Sequence, residues 1–280
     1  MVGTKPFGST GAAVATIGQG SWNLPESGAK RTEAKRALLR GIELGMTHVD
    51  TAEMYGGGAV ESALGEFLVG VPRQRLFLTT KVLPSNATYD GTVAACERSL
   101  SRLKMDYVDL FLLHWAGRHP LEETMRALET LVEQGKTRFI GVSNFDLDEL
   151  REAQSYLRAH PIASNQVLYN LTERGIEHRL LPYCAEQSIA LVGYTPFARG
   201  KTSRSEAALT AIATKHDATT HQVMLAFLTR TPALFAIPKA ASIAHVEDNA
   251  RAAELRLDAE DLAAIEIAFP VGDDGPLASL

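Results

Sequence analysis

The sequence predicts an α/β protein of the closed (β/α)8 TIM-barrel class, with an N-terminal β-hairpin cap, folded as one domain over residues 1–280. Three observations predict it. Eight short β-type runs alternate with helix-type segments, the order that builds a parallel sheet. The runs are largely continuous in apolar residues, as strands buried on both faces are. Nearly every run ends in a polar or aromatic cluster, and such side chains are costly inside a core unless a shared rim lets them pair.

Taken in order, residues 4–14 carry Gly8 and Gly11 and read as a hairpin over the barrel bottom. The eight strands are expected at 16–18, 47–49, 76–80, 107–113, 138–142, 163–167, 190–194 and 234–237. Helical stripes lie between them. Val60, Ala63, Leu64, Phe67 and Leu68 share one face, as do Val93, Cys96, Leu100 and Leu103, and as do Leu121, Met125, Leu128 and Val132. The second strand runs into Asp50, the third into Lys81, the fourth into His114 and the fifth into Ser143 and Asn144. The sixth ends near Gln166, the seventh in Tyr194 and the eighth in Lys239. An open doubly wound sheet would want Gly-x-Gly-x-x-Gly after its first strand. Here Gly18-Gln19-Gly20 continues as Ser21-Trp22-Asn23, so that fold is rejected.

Composition excludes other classes. The chain has 280 residues, 45% hydrophobic and 22% charged, with a net charge of −5 and no basic run. A nucleic-acid partner would call for a clustered Lys/Arg face. Two cysteines, Cys96 and Cys184, are too few for a disulfide framework. Residues 1–10 lack the apolar core of a signal peptide, and no apolar stretch reaches the ~18 residues that span a membrane. The expectation is a cytoplasmic protein without a membrane partner, a monomer by default, in which the Asn-x-Thr matches at Asn86 and Asn170 arise by chance. The histidines are scattered without His-Glu-x-x-His, and Gly-x-Ser-x-Gly is absent, so neither a metal centre nor a nucleophilic serine is expected.

Singly, a Tyr near an Asp, a Lys after a strand or a His after an apolar run is more often structural than catalytic. Together they read differently. The stretch His48-Val49-Asp50-Thr51-Ala52-Glu53-Met54-Tyr55-Gly56, with Lys81, His114, Gly141-Val142-Ser143-Asn144-Phe145, Asn165-Gln166 and Ile237-Pro238-Lys239, resembles the aldo-keto reductases over essentially the whole chain. The stretches 50–55 and 236–240 are especially similar to small bacterial members associated with methylglyoxal reduction. The resemblance implies a catalytic set of Asp50, Tyr55, Lys81 and His114, and a substrate mouth of Trp22, Tyr55, His114 and Trp115. It implies that Ser143, Asn144 and Gln166 bind a nicotinamide carboxamide and that Tyr194 stacks on its ring. Gly20, Ser21, Trp22, Asp50, Thr195, Pro196, Phe197 and Ala198 would make further cofactor contacts. Lys239, Ala240, Ser242, His245, Asp248 and Asn249 would hold the adenosine phosphate end.

The residue types suit carbonyl reduction. The cofactor brings a hydride; the protein brings position and an acid. A phenol has an ordinary pKa of ~10. An ammonium about 4 Å away, at an effective dielectric of ~20, contributes about 4 kcal/mol. Lys81 is therefore expected to draw the Tyr55 pKa toward neutrality, with Asp50 as the counter-ion that lets Lys81 stay charged in a partly dry pocket.

Two departures from the family pattern bear on specificity. After Lys239 the family's Ser is Ala240, and its Arg six residues after the Lys is His245. NADPH is still favoured, with NADH possible, because Lys239 and the helix N-terminus capped by Ser242 can both receive a phosphate. His245 would then make NADPH affinity pH-dependent. The stretch after Tyr194 and the tail after Phe269 are short, and Gly272, Gly275 and Pro276 suggest a mobile tail. An open pocket and small or promiscuous aldehydes are expected, such as methylglyoxal, short-chain or aromatic aldehydes. A non-catalytic nucleotide-sensing subunit of the same fold, or an enzyme acting mainly as an alcohol or sugar dehydrogenase, are the alternatives.

Overall fold

The structure, a computed structural model, describes residues 1–200 and 206–279. Strands β1 (Thr4–Pro6) and β2 (Ala13–Ala15) pair antiparallel as the hairpin. Eight parallel strands follow: β3 (Gln19–Gly20), β4 (His48–Asp50), β5 (Phe77–Val82), β6 (Val108–Leu113), β7 (Thr137–Ser143), β8 (Ile162–Leu168), β9 (Ala190–Tyr194) and β10 (Leu234–Ala236). Each lies beside its successor in the chain. The ring closes where β10 meets the segment entering β3. Ile17 bridges Ala236, the Gly18 amide donates to the Ala236 carbonyl (2.8 Å) and the Gly20 amide to that of Pro238 (3.0 Å). The expected first strand, 16–18, is this closing segment. Its pairing is divided, with Ile17 facing β10 while Gln19 and Gly20 face β4.

The helices are α1 (Gly28–Glu43), α2 (Ala59–Phe67), α3 (Tyr89–Leu103), α4 (Leu121–Glu133), α5 (Leu147–Ser155), α6 (Leu180–Glu186), α7 (Glu206–Lys215), α8 (Thr220–Leu228), α9 (Ile243–Arg251) and α10 (Ala259–Ala268). Helices α2, α3 and α4 carry the three stripes read from the sequence. Alternation along β6 divides the core. Leu110 and Leu112 join an inner cluster with Phe77, Val192 and Phe235, while Phe111 and Leu113 join the outer layer against the helices. No helix among the described residues is long and apolar enough to cross a membrane.

The hairpin plugs the end of the barrel where strands begin. Phe7, fully buried, lies 4.8 Å from the Phe77 ring and 4.9 Å from the Phe235 ring. The turn after Phe7 comes so close that a Cβ on Gly8 would sit 2.7 Å from the Ser188 carbonyl oxygen, and its φ of +55° also suits glycine. Lys5 ties the hairpin to the carbonyls of Thr229, Thr231 and Leu234.

Above this plug His48 is completely buried, edge-on to Phe77 at 5.3 Å. Its Nε2 lies 3.3 Å from the Thr79 hydroxyl, and Nδ1 has no partner among the described residues. Burial, reinforced by the charge of Lys81, brings its pKa down to about 3. The unfolded chain therefore binds more protons than the folded one below the ordinary histidine value of ~6.5. Stability from this site is complete above that pH and is lost as pH falls toward 3. At pH 4.5 His48 should cost the fold about 2–3 kcal/mol relative to pH 7. In urea titrations, His48→Phe should reduce the difference in stability between pH 7 and 4.5 by about that amount. An unchanged pH dependence would contradict the assignment.

The C-terminal tail differs from expectation. Instead of moving freely it is docked: Arg174 Nη1 donates to the Phe269 carbonyl (2.5 Å), His178 Nε2 is 2.6 Å from the Gly272 carbonyl, and Arg179 pairs with Asp274 at 3.0 Å. The glycines and proline shape a path along the segment that precedes α6. The tail therefore lies against residues 146–180.

Candidate active site

The polar strand ends gather at the barrel face where strands finish. Asp50 closes β4, and Tyr55 opens a single 3-10 turn five residues later, its amide donating to the Ala52 carbonyl (3.1 Å). Lys81, near the end of β5, is fully buried. Its ammonium donates to Asp50 Oδ1 (2.7 Å) and to the Thr51 carbonyl (2.8 Å) and lies 5.2 Å from the centroid of the Tyr55 ring. The other carboxylate oxygen of Asp50 accepts from Gln166 Nε2 at 2.7 Å. Both oxygens are therefore partnered, which is what a buried carboxylate requires. His114, immediately after β6, faces Tyr55 edge-on at 5.9 Å and touches the Trp115 ring at 4.8 Å.

The electrostatics follow from burial and neighbours. Burial alone would pull the Lys81 ammonium down, but Asp50 and the Tyr55 phenol outweigh it and hold its pKa above the ordinary range. His114 is brought down to about 3 by burial and then by Lys81, so the imidazole is neutral at physiological pH. Its Nδ1 is buried without a partner among the described residues. An orphaned lone pair costs less there than an orphaned N–H, so the proton belongs on Nε2, which makes that atom a donor. For Tyr55 the expectation needs correcting: its pKa is raised. Burial of the phenolate is the largest effect, and the negative charge of Asp50 adds to it; Lys81 opposes both without overcoming them. The phenol is therefore fully protonated at neutral pH.

A second polar belt runs along the ends of β7 to β9. Asn144 has a left-handed backbone (φ +59°), and its Nδ2 donates to the His114 carbonyl (3.1 Å) and to Ser143 Oγ (3.2 Å). The Ser143 hydroxyl donates to the Gln166 carbonyl (2.9 Å), and the Tyr194 hydroxyl donates to Asn144 Oδ1 (2.7 Å). This belt and the Asp50–Tyr55–Lys81–His114 group border one cavity of about 530 Å³, within the range of ligand sites.

Of the residues expected at the site, Gly20, Ser21, Trp22, Asp50, Tyr55, His114, Trp115, Ser143, Asn144, Gln166, Tyr194, Thr195, Pro196, Phe197 and Lys239 line this cavity. Lys81 stands behind it, reaching it through Asp50 and Tyr55. Ala198, Ala240, Ser242, His245, Asp248 and Asn249 do not line it. Most of these lie along α9, where Ser242 is the N-cap and its hydroxyl accepts from the His245 amide (3.4 Å). The Asp248 carboxylate is already engaged by Thr219 Oγ1 and Gln222 Nε2 (2.8 Å for the latter), tying α9 to α8, and Asn249 is buried. Met54, Arg199 and Ile237 line the cavity without having been expected there. Each lies within two residues of an expected one, and Arg199 shows its signal only in three dimensions, with its guanidinium 5.2 Å from the Trp22 ring centroid.

A dinucleotide fits these residues. The Ser21 hydroxyl is buried beside the cavity with no partner among the described residues. At Gly20 the backbone passes so near that a Cβ would be 2.9 Å from the Ile237 carbonyl. The N-terminus of α9, with the exposed Lys239 before it, presents amides and positive charge of the kind phosphates bind.

Comparison with known proteins agrees with this geometry. The model of the aldo/keto reductase family matches residues 16–269. The chain is 43% identical over 258 residues to methylglyoxal reductase YeaE of Escherichia coli K12, covering 91% of this chain and 90% of that protein. It is 36% identical to the glyoxal reductase of Bacillus subtilis 168, over 86% and 84% of the two chains. The crystal structure of an aldo-keto reductase from Klebsiella pneumoniae in complex with NADPH superposes with a TM-score of 0.93 at 39% identity, covering all of both chains. The chain belongs to the aldo/keto reductase family.

Proposed function

We propose that this protein reduces aldehydes and ketones to alcohols with NADPH, with Tyr55 as proton donor and small dicarbonyls such as methylglyoxal among its substrates. One observation carries the reading. A buried ammonium, Lys81, is held by Asp50 directly behind a protonated phenol that faces a cavity large enough for a nicotinamide and a small carbonyl. The intact group Asp50, Tyr55, Lys81 and His114 favours catalysis over nucleotide sensing. The relatives named for methylglyoxal and glyoxal reduction, and the neighbour bound to NADPH, support the same reading.

The chain's own groups do the following. The substrate oxygen accepts from the Tyr55 hydroxyl and from Nε2 of neutral His114, which fixes the carbonyl plane. Bound NADPH supplies the hydride to the carbonyl carbon. As negative charge grows on that oxygen, the phenolic O–H bond breaks and the alcohol O–H bond forms. An alkoxide is a far stronger base than a phenolate, so a phenol of raised pKa still gives up its proton. Lys81 stabilises the phenolate left behind, and solvent returns the proton. Ser143, Asn144 and Gln166 offer donors and acceptors that suit a neutral carboxamide. The belt already joining them would hold that amide against the Tyr194 side of the cavity. The same residues catalyse the reverse oxidation, and the cellular cofactor ratio sets the direction.

In this reading the chain is a single domain and acts as a cytoplasmic monomer. The experiment is NADPH oxidation by purified protein against a panel of aldehydes, including methylglyoxal, with NADH in parallel. Turnover with NADPH supports the proposal, and no turnover of any aldehyde refutes it.

His245, standing where the family has Arg, is exposed at the start of α9, beside the amides that would meet a phosphate.

A further inference from the structure

Beside the cavity lies a second hollow, a groove of about 480 Å³ between the loop 22–26, the start of α1 and the length of α2. Trp22, Met54 and Tyr55 belong to the walls of both. Trp22 and Met54 are the exposed part of that shared wall (45% and 39%). Asn23, Glu26, Arg31, Ser62 and Glu66 border the remainder of the groove, together with apolar residues such as Leu24 and Val60. Arg31 lies over the Phe67 ring (4.9 Å) and gives Nη2 to Glu66 (2.6 Å), while its Nε is buried without a partner among the described residues. Ser62 gives its proton to the Gly58 carbonyl (3.2 Å), which leaves its oxygen lone pairs as acceptors.

We infer that this groove is a subsite for the tail of the substrate, that Arg31 and Glu66 determine which tails enter, and that it takes neutral, hydroxylated tails. The inference rests on the reductase reading above. The cavity must hold the nicotinamide as well as the reacting carbonyl, so a substrate longer than a few carbons has to extend past Trp22 and Met54. An apolar tail would strip water from Arg31, Glu66 and Asn23 without replacing their hydrogen bonds. An anionic tail would meet two carboxylates, Glu26 and Glu66, against one guanidinium, and would have to displace Glu66 to reach it. A chain of hydroxyl groups donates to the carboxylates and accepts from the guanidinium at the same time, and so uses the mixture as it stands.

The test compares kcat/KM, with NADPH, for methylglyoxal, D-xylose and succinic semialdehyde in the wild type, Arg31→Met and Ala59→Phe. Met retains the apolar stem over Phe67, and Ala59 is an exposed lining residue whose enlargement narrows the groove. The open-chain fraction of the sugar cancels when each variant is divided by the wild type. Arg31→Met should lower kcat/KM for D-xylose about fivefold to tenfold through KM, the loss of one or two hydrogen bonds, and Ala59→Phe should lower it at least as much. Methylglyoxal should stay within about twofold in both variants, because its three carbons do not leave the cavity. A parallel fall for D-xylose and methylglyoxal, or no fall for D-xylose, overturns the subsite. A selective fall for succinic semialdehyde overturns its neutral character. Turnover of methylglyoxal without any turnover of D-xylose overturns the subsite alone; turnover of neither overturns the reductase reading beneath it.

Discussion

Replacing Tyr55 with Phe should lower kcat for every aldehyde by about 10²–10⁴, the range ascribed to a positioned general acid, and leave folding and NADPH binding intact. The change removes one hydroxyl. The ring keeps its edge contact with His114, and Lys81 keeps Asp50 and the Thr51 carbonyl as partners. No other group takes over the proton. His114 is neutral at working pH, its pKa held near 3, and Lys81 is screened from the cavity by the phenol itself. Thermal unfolding and cofactor titration of the variant, beside steady-state rates, separate a chemical defect from a structural one. Retention of more than a tenth of the wild-type kcat would place the acid elsewhere. The same assignment predicts a wild-type rate that holds across neutral pH. It should fall only on the alkaline side, above the ordinary phenol range, as Tyr55 loses its proton.

Lys81→Met should be damaging in two separable ways. It leaves Asp50, 1% exposed, with Gln166 as its remaining partner and no counter-charge. Breaking a buried ion pair from one side costs about 3–5 kcal/mol. It also removes the charge that stabilises the phenolate, so activity should fall by about a hundredfold or more. The double variant Lys81→Met/Asp50→Leu tests the division. It removes the orphaned carboxylate and should recover most of the lost stability without recovering turnover. Recovery of both would mean that Lys81 matters only to the fold. No recovery of stability would mean that the carboxylate is not what the single variant strands.

The barrel and the polar residues gathered at its rim were legible because their signals are local. A buried parallel strand is an uninterrupted apolar run, and a polar side chain at its end has few places to go but the rim. Asp50, Lys81, His114 and Gln166 each carried that signal independently. The coupling between them was not legible. Gln166 meets Asp50 across 116 residues of sequence, and Tyr194 reaches Asn144 across 50. Curling of the sheet brings the first pair together across the barrel, and the adjacency of β7, β8 and β9 the second. The direction of the Tyr55 shift was misread for a related reason. From the sequence only the attraction of Lys81 can be weighed, whereas burial, which dominates, is a property of the packed site. The tail was misread because Gly272 and Pro276 speak for local flexibility, while Arg174, His178 and Arg179, which pin it, lie some 95 residues earlier. The first strand was too short to delimit, since its two edges pair with different neighbours at different residues.

The most direct test is a crystal structure with NADP⁺ and an unreactive carbonyl ligand. The ligand oxygen should lie within hydrogen-bond reach of both the Tyr55 hydroxyl and His114 Nε2, with Lys81 still bound to Asp50 behind the phenol. The reacting carbon should lie about 3–3.5 Å from the nicotinamide carbon that would carry the hydride in NADPH. A phenol turned away from the Lys81 ammonium, or a nicotinamide bound outside the cavity bordered by Asn144, Gln166 and Tyr194, would contradict this arrangement.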